Sequence, residues 1–183
     1  LECIVNTHSN ADHIGGNAFL QKKNGCRIAA TAGEAPFIRR PELEAAFLYG
    51  GYPYPGLDNK FLRAAPSEVS DTVGSSGPIA LGGGENTGLE AIPLPGHYFD
   101  MIGIRTPDNI VFAADAVFSE YIIEKYHLFY IYDVTGYLRT LDTIAAMEAD
   151  LFVPSHAKPL RDIGGLLEVN RKKVHEIAGV IAD

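Results

Sequence analysis

Histidine and aspartate side chains recur in this sequence just after predicted strands. They follow the apolar runs ECIVN, LEAIPLPG, IVFAA and LFVPS, and they are His8, His13, His97, Asp115 and His156. Strand ends on one edge of a sheet can converge on a single place, whereas scattered structural histidines have no reason to repeat this context. Neutral imidazoles and carboxylates are the ligands that zinc, ferrous iron and manganese prefer. The pattern therefore predicts a site for one or two divalent ions.

The segment THSNADH carries the densest part of this pattern. In an extended segment, alternate side chains project to one side, so we expect positions 8, 10 and 12 to face together, with His13 nearby at a helix start. A buried carboxylate without a partner is costly, and metal binding would explain Asp12 and Asp115 in apolar surroundings. Alternatives exist for single residues, because Asp12 or Asp115 could cap a helix or turn and a lone histidine is often structural. His127 and His175 are assigned no role.

Elements with strand and helix periodicity alternate along the chain and must position these side chains. Residues 50–66 mix Gly, Pro and aromatics and read as a long ordered loop that covers a site. GGG at 82–84 indicates a hairpin or turn. Strands are predicted at 2–6, CRIAAT, LEAIPL, MIGIRT, NIVFAAD and ADLFVPS, and helices at about 14–23, PELEAAFLYG, 134–149 and from 163 onward. This order predicts one α/β or α+β layered domain over residues 1–183.

Composition restricts the class of partner. The net charge is −8 and no stripe of lysine and arginine is present, which disfavours nucleic acid. No run approaches the roughly 18 apolar residues of a membrane span, and no charged-then-apolar leader opens the sequence, so we expect a cytoplasmic protein without membrane contact. Two cysteines, Cys3 and Cys26, are expected to be free thiols. A small molecule is the expected partner.

Four motifs together resemble the metallo-β-lactamase superfamily, in the order that the family shows. THSNADHIGGN is similar to its THxHxDH signature, PLPGH to its later histidine loop, FAADAVF to its bridging aspartate and VPSH to its last histidine. The resemblance implies an αββα sandwich and zinc, as one or two ions, with iron or manganese as alternatives. It implies that His8 and His97 hold one ion, that Asp12, His13 and His156 hold the other, and that Asp115 bridges the two.

Two features depart from the family pattern. Asn10 stands where the family usually has its second histidine, and an amide oxygen is a weaker zinc ligand. We therefore expect the site of Asp12, His13, Asp115 and His156 to fill first. The strands that usually precede the signature are absent, so we expect an N-terminally truncated sandwich whose uncovered face forms a homodimer.

The resemblance implies a metal-dependent hydrolase. A metal-bound hydroxide would attack an ester, thioester, lactone or related small acyl substrate, and Asp12 would act catalytically by orienting the water or accepting its proton. The missing basic groove disfavours nucleases, and the short chain disfavours the complete electron-transfer type. A non-catalytic metal-binding or sensor domain is the alternative, and a purely structural fragment is a third interpretation.

Overall fold

The computed structural model describes residues 1–82, 84–127 and 129–182. It contains seven helices and eight strands among these residues. In chain order they are β1 (Cys3–Val5), α1 (Ala11–Ile14), α2 (Asn17–Asn24), β2 (Arg27–Thr31), α3 (Ala35–Arg39), α4 (Glu42–Tyr49), β3 (Asp71–Val73), β4 (Gly77–Leu81), β5 (Glu85–Pro93), β6 (Ile102–Arg105), β7 (Ile110–Phe118), α5 (Glu120–Tyr126), α6 (Val134–Ala145), β8 (Leu151–His156) and α7 (Gly164–Ala182).

Contacts group the chain into two compact units. The first comprises residues 1–74 and 79–87, and the second comprises 75–78 and the chain from 88 onward. The expectation of a single domain over residues 1–183 stays a prediction. Among the described residues, none of the helices combines the length and hydrophobicity that crossing a bilayer requires.

The first unit is built on a parallel sheet of order β1-β2-β3. Its central strand, β2, is buried at every residue except the partly buried Arg27, as expected for a strand covered on both faces. Helices connect its strands, and their apolar residues form the core with those of β2, including Ile14, Ile28 and Ile38, each of which is fully buried. This core fixes the end of β1 and the helix α1. The signature segment, THSNADH at residues 7–13, follows β1 and runs into α1.

The second unit is built on β6, β7, β8 and the part of β5 from Gly88 onward, which are neighbours in the sheet order β4-β5-β6-β7-β8. β5, β6 and β7, which overlap the predicted strands LEAIPL, MIGIRT and NIVFAAD, form an antiparallel meander, whereas β8 returns parallel to β7. A parallel return needs a long crossover connection, which here contains α5 and α6. The chain ends in α7, which buries Leu167, Asn170 and Val174.

Several boundaries differ from the sequence prediction. The helix expected over about 14–23 is two helices, because α1 begins at Ala11 and a break at Gly15–Gly16 separates it from α2. α6 ends at Ala145, short of residue 149. Residues 50–66 contain neither helix nor strand, as predicted for a loop, and the expectation that this loop covers a site stays a prediction. The turn predicted at 82–84 joins β4 to β5, although Gly83 lies outside the described residues. α3, β3, β4 and α5 were not predicted.

Candidate metal centre

The signature segment places three of the predicted ligands together at the start of α1. Ala11 and Ile14 of α1 are buried in the core, so the helix is held by its apolar side. The imidazole rings of His8 and His13 lie 4.1 Å apart between centroids. His13 Nε2 lies 3.6 Å from Asp12 Oδ2, and the Asp12 side chain is half exposed. The first unit therefore holds two imidazoles and one carboxylate in a compact group.

The backbone around this group is fixed by polar contacts. His8 is fully buried, and its Nδ1 lies 3.1 Å from the Thr7 hydroxyl oxygen. A histidine whose one ring nitrogen is engaged presents the other nitrogen to a ligand, so this contact favours Nε2 of His8 as the ligating atom. The Asn17 amide donates to the Asn6 side-chain oxygen over 2.8 Å, which ties the end of β1 to α2.

Two buried glutamates hold the signature residues between the predicted ligands, and sequence reasoning missed both. Glu34 accepts hydrogen bonds from the backbone N–H and the hydroxyl of Ser9, at 3.0 and 2.6 Å. Glu44 accepts from the Asn10 amide at 2.8 Å and from the Ala11 backbone N–H at 3.3 Å. Burial raises the pKa of Glu44 to about 7, against the lowering effect of these two hydrogen bonds. No motif in the sequence marks either residue, because each is a single acidic residue in or beside a short helix.

In the second unit, a strained turn positions His97. Gly96 adopts a φ of +129°, and a side chain at this position would overlap the backbone of Tyr137. His97 is buried, and its Nδ1 lies 2.8 Å from the carbonyl oxygen of Tyr130. A ring nitrogen that contacts a carbonyl carries the proton, so Nε2 keeps the lone pair that can bind a metal. His97 Nε2 lies 3.6 Å from Asp115 Oδ2.

Asp115 and His156 lie within strands, whereas the sequence predicts them just after strands. Asp115 lies inside β7, and His156 is the last residue of β8. The register between these strands shifts on both sides of Ala114, which has a φ of 49°. A bulge of this kind changes the direction in which the next side chain points, and here that residue is Asp115. His156 Nε2 lies 3.1 Å from Asp115 Oδ2.

The donor atoms of the second unit fit a zinc-class ion. Nε2 atoms of two histidines approach one oxygen of a carboxylate that is only 3% exposed. Imidazole nitrogen and carboxylate oxygen match the ligand preference of zinc and also suit iron and manganese. Phe118 packs against both rings, edge-on to His97 and stacked on His156 at a centroid distance of 6.1 Å. The cluster is thus held in a largely apolar setting.

A cavity of about 660 Å³ adjoins this cluster within the second unit. His156 lines it, and most of the remaining wall comes from α5 and from the chain after β8. The wall residues with polar or charged groups are Ser119, Glu120, Tyr121, Ser155, His156 and Lys158, and Ala157, Leu160 and Leu166 supply apolar surface. A small organic molecule of mixed polarity fits such a cavity.

A protein-family model and a sequence relative both match this chain. The sequence model of the Metallo-beta-lactamase superfamily matches residues 1–156. A hydroxyacylglutathione hydrolase of Hyphomonas neptunium is 33% identical over 117 residues, which cover 63% of this chain and 34% of that protein. The chain therefore spans about a third of this curated relative's length.

Solved structures share the fold at low sequence identity. A metallo-beta-lactamase family protein from Thermus thermophilus matches with a TM-score of 0.70 at 22% identity, covering 100% of this chain and 62% of that one. An archaeal superfamily protein from Sulfolobus tokodaii matches with a TM-score of 0.64 at 17% identity, covering 94% and 67%. These likenesses, together with the two sheets and their helices, confirm the mixed α/β fold class expected from the sequence.

Proposed function

Because this chain belongs to the metallo-β-lactamase superfamily, we propose that it is a metal-dependent hydrolase of small acyl substrates. The observation that carries the proposal is the buried Asp115 carboxylate with the Nε2 atoms of His97 and His156 directed at one of its oxygens. Buried charges in proteins are paired or coordinate metals, and imidazole nitrogens grouped with a carboxylate oxygen are the ligand types that zinc prefers. The hydrolase relative from Hyphomonas neptunium supports the same class of reaction.

The ligand assignment is the one that the family motifs imply. All six side chains offer ligand atoms suited to a metal ion. We propose His8 and His97 for one ion, Asp12, His13 and His156 for the other, and Asp115 for both. Zinc is the proposed metal, with iron or manganese as alternatives, because imidazole nitrogens and carboxylate oxygens suit all three. When bound, such an ion supplies an activated water near neutral pH and polarises the attacked carbonyl.

The chain's own residues supply the positioning and the proton transfer. Asp12 is the one half-exposed carboxylate of the proposed set, and its contact with His13 leaves it at the edge of the buried group. We assign it the role of orienting the attacking water and accepting its proton. Asp115 and Phe118 keep the imidazoles of His97 and His156 in place.

The substrate proposal is a small ester, thioester or lactone. The cavity beside His156 is large enough for a compact acyl group and is bounded mainly by short or apolar side chains, with one lysine and one glutamate. The curated relative's name describes hydrolysis of a hydroxyacyl thioester of glutathione. A thioester is therefore the first substrate class to assay.

Matched histidine variants test the proposal. His97→Ala is expected to lower zinc content and hydrolysis of the best substrate in an ester, thioester and lactone panel together. His175→Ala, on the exposed side of α7, is the control and is expected to match the wild type. Zinc is measured by elemental analysis after dialysis. Equal zinc content and equal rates in the two variants would refute the proposed site.

A non-catalytic metal-binding or sensor function is the second candidate. One observation favours it, since Asn10 stands at the usual second histidine and its amide donates to Glu44. Under this alternative the wild type binds zinc and is stabilised by it, while every substrate in the panel stays inert with zinc, manganese or iron. If any substrate is turned over by the wild type and not by His97→Ala, the hydrolase function is supported over the sensor function.

A further inference from the structure

Glu44 is a buried carboxyl group that no family motif includes. It lies on α4, and its residue is 2% exposed. Its Oε1 accepts hydrogen bonds from the Asn10 amide and the Ala11 backbone N–H, whereas its Oε2 has no hydrogen-bond partner among the described residues. Burying a carboxyl group with one oxygen unsatisfied is unfavourable. The hydrogen bonds from Asn10 and Ala11 therefore have to offset this cost.

The hydrogen bond from the Ala11 backbone N–H to Glu44 anchors the N-terminus of α1. The initial N–H groups of a helix have no acceptor within the helix, and a side chain at the N-cap position usually provides one. Asn10 occupies the N-cap of α1 but makes no side-chain cap hydrogen bond there. Glu44 provides an acceptor from another helix, through its bond from Ala11 N–H. α1 has only four residues, and two of them are Asp12 and His13.

The hydrogen bond from the Asn10 amide to Glu44 fixes the side chain of residue 10. Asn10 donates through Nδ2, an atom separated from Cα by the same number of bonds as Nδ1 of a histidine. Histidines that bind metals commonly donate their second ring N–H to a carboxylate, which orients the ring. Glu44 thus stands where it orients the asparagine and where it could also orient a histidine in its place.

We infer that Glu44 is a positioning residue for metal binding, which holds Asn10 and the first turn of α1 so that Asp12 and His13 can bind an ion. The inference rests on the proposed function only in its use of Asp12 and His13 as ligands. Glu34 holds Ser9, the residue before Asn10, in a related way, through the two hydrogen bonds that Ser9 donates to it. Glu44 is the more specific case because it also holds the side chain at the position that departs from the family.

Zinc affinity of the whole chain tests this inference without any enzyme assay. Glu44→Leu removes the acceptor at similar size, and Glu44→Gln keeps one acceptor oxygen. Glu42→Leu is the control at the half-buried first residue of the same helix, whose carboxylate accepts from Arg40 and makes no hydrogen bond with Asn10 or Ala11 among the described residues. Loss of a group that orients metal ligands typically weakens metal binding by about 10- to 100-fold. We expect a zinc Kd raised by that factor in Glu44→Leu, by less in Glu44→Gln, and unchanged in Glu42→Leu. Competition with a chromophoric chelator measures it.

A second pair of variants separates positioning from a general loss of stability. Asn10→His is expected to strengthen cobalt binding and change the d–d absorption of the cobalt-loaded protein, because the new ring donates to Glu44 and is held in place. Asn10→His combined with Glu44→Gln is expected to give a smaller change. If Glu44→Leu does not fold by circular dichroism, this pair decides the question.

Each outcome has one meaning. Wild-type protein that does not bind zinc refutes the proposed function. Wild-type protein that binds zinc, with Glu44→Leu equal to Glu42→Leu, overturns only the role of Glu44. An Asn10→His effect of the same size with and without Glu44→Gln overturns it as well.

Discussion

Replacing Asn170 with alanine is expected to destabilise the second unit strongly. Asn170 lies on α7 and is fully buried. Its Oδ1 accepts from the Phe118 backbone N–H at 3.0 Å and from the Tyr137 hydroxyl at 2.9 Å, and its Nδ2 donates to the Phe118 carbonyl at 2.8 Å. One side chain therefore satisfies both backbone groups at the end of β7 and ties α6, α7 and β7 together.

The magnitude follows from the groups that Asn170→Ala would leave unpaired. Each buried donor or acceptor without a partner costs about 1–3 kcal/mol, and this variant strands the N–H and C=O of Phe118 and the Tyr137 hydroxyl. Water entering the space left by the amide offsets part of this cost. We expect the free energy of unfolding to fall by about 3–5 kcal/mol. Zinc affinity should fall with it, because Phe118 packs against both His97 and His156.

Urea unfolding followed by circular dichroism measures this change, since the chain has no tryptophan to report by fluorescence. The matched control is Asn24→Ala, which removes an exposed amide that donates to the Leu20 carbonyl and is expected to cost under about 0.5 kcal/mol. A loss below about 1 kcal/mol in Asn170→Ala, or one equal to the control, would refute the reasoning from stranded polar groups.

Three further predictions concern other parts of the chain. Gly96→Ala is expected to lower both the melting temperature and the zinc content, because its methyl group would overlap the Tyr137 backbone, and an unchanged melting curve would contradict this. Asp133→Ala removes the N-cap that accepts from Gly136 N–H at 2.9 Å, and it should cost about 1 kcal/mol in urea unfolding. Burial raises the pKa of Glu44 to about 7. In metal-free protein, the contribution of Glu44 to stability is therefore full below the pKa that this residue has in the unfolded chain, and it is lost as pH rises through about 7. Relative to Glu44→Gln, the wild type should therefore lose on the order of 3 kcal/mol between pH 5 and 8, and parallel pH profiles would exclude this.

The sequence predicted most elements whose periodicity is set by burial. β2 is an apolar run because both of its faces are covered, and α6 is clearly amphipathic, so each element was predicted, although α6 is shorter than expected. The short elements α3, β3 and α5 escaped because three to seven residues carry too little periodicity. The break between α1 and α2 was also missed, although Gly15 and Gly16 mark it.

The candidate ligands were predictable as residue types but not as geometry. The setting of Asp115 depends on Ala114 in a left-handed conformation, and alanine gives no turn signal as glycine or asparagine would. The orientation of His97 depends on the Tyr130 carbonyl, which belongs to a segment with no regular structure. Long-range contacts of this kind are set by tertiary packing, which local patterns do not encode.

The substitution at position 10 gains a physical reason from its neighbours. An asparagine in place of a histidine removes a good zinc ligand, and by itself this would indicate a degenerate site. Glu44 changes that interpretation, because a buried carboxyl group that accepts from both Asn10 and Ala11 is unfavourable unless it serves the helix that carries Asp12 and His13. Well-packed apolar residues at both positions 10 and 44 would often be no less stable than this buried polar pair. The polar pair that holds α1 therefore favours a working metal site with a changed ligand set over a vestigial one.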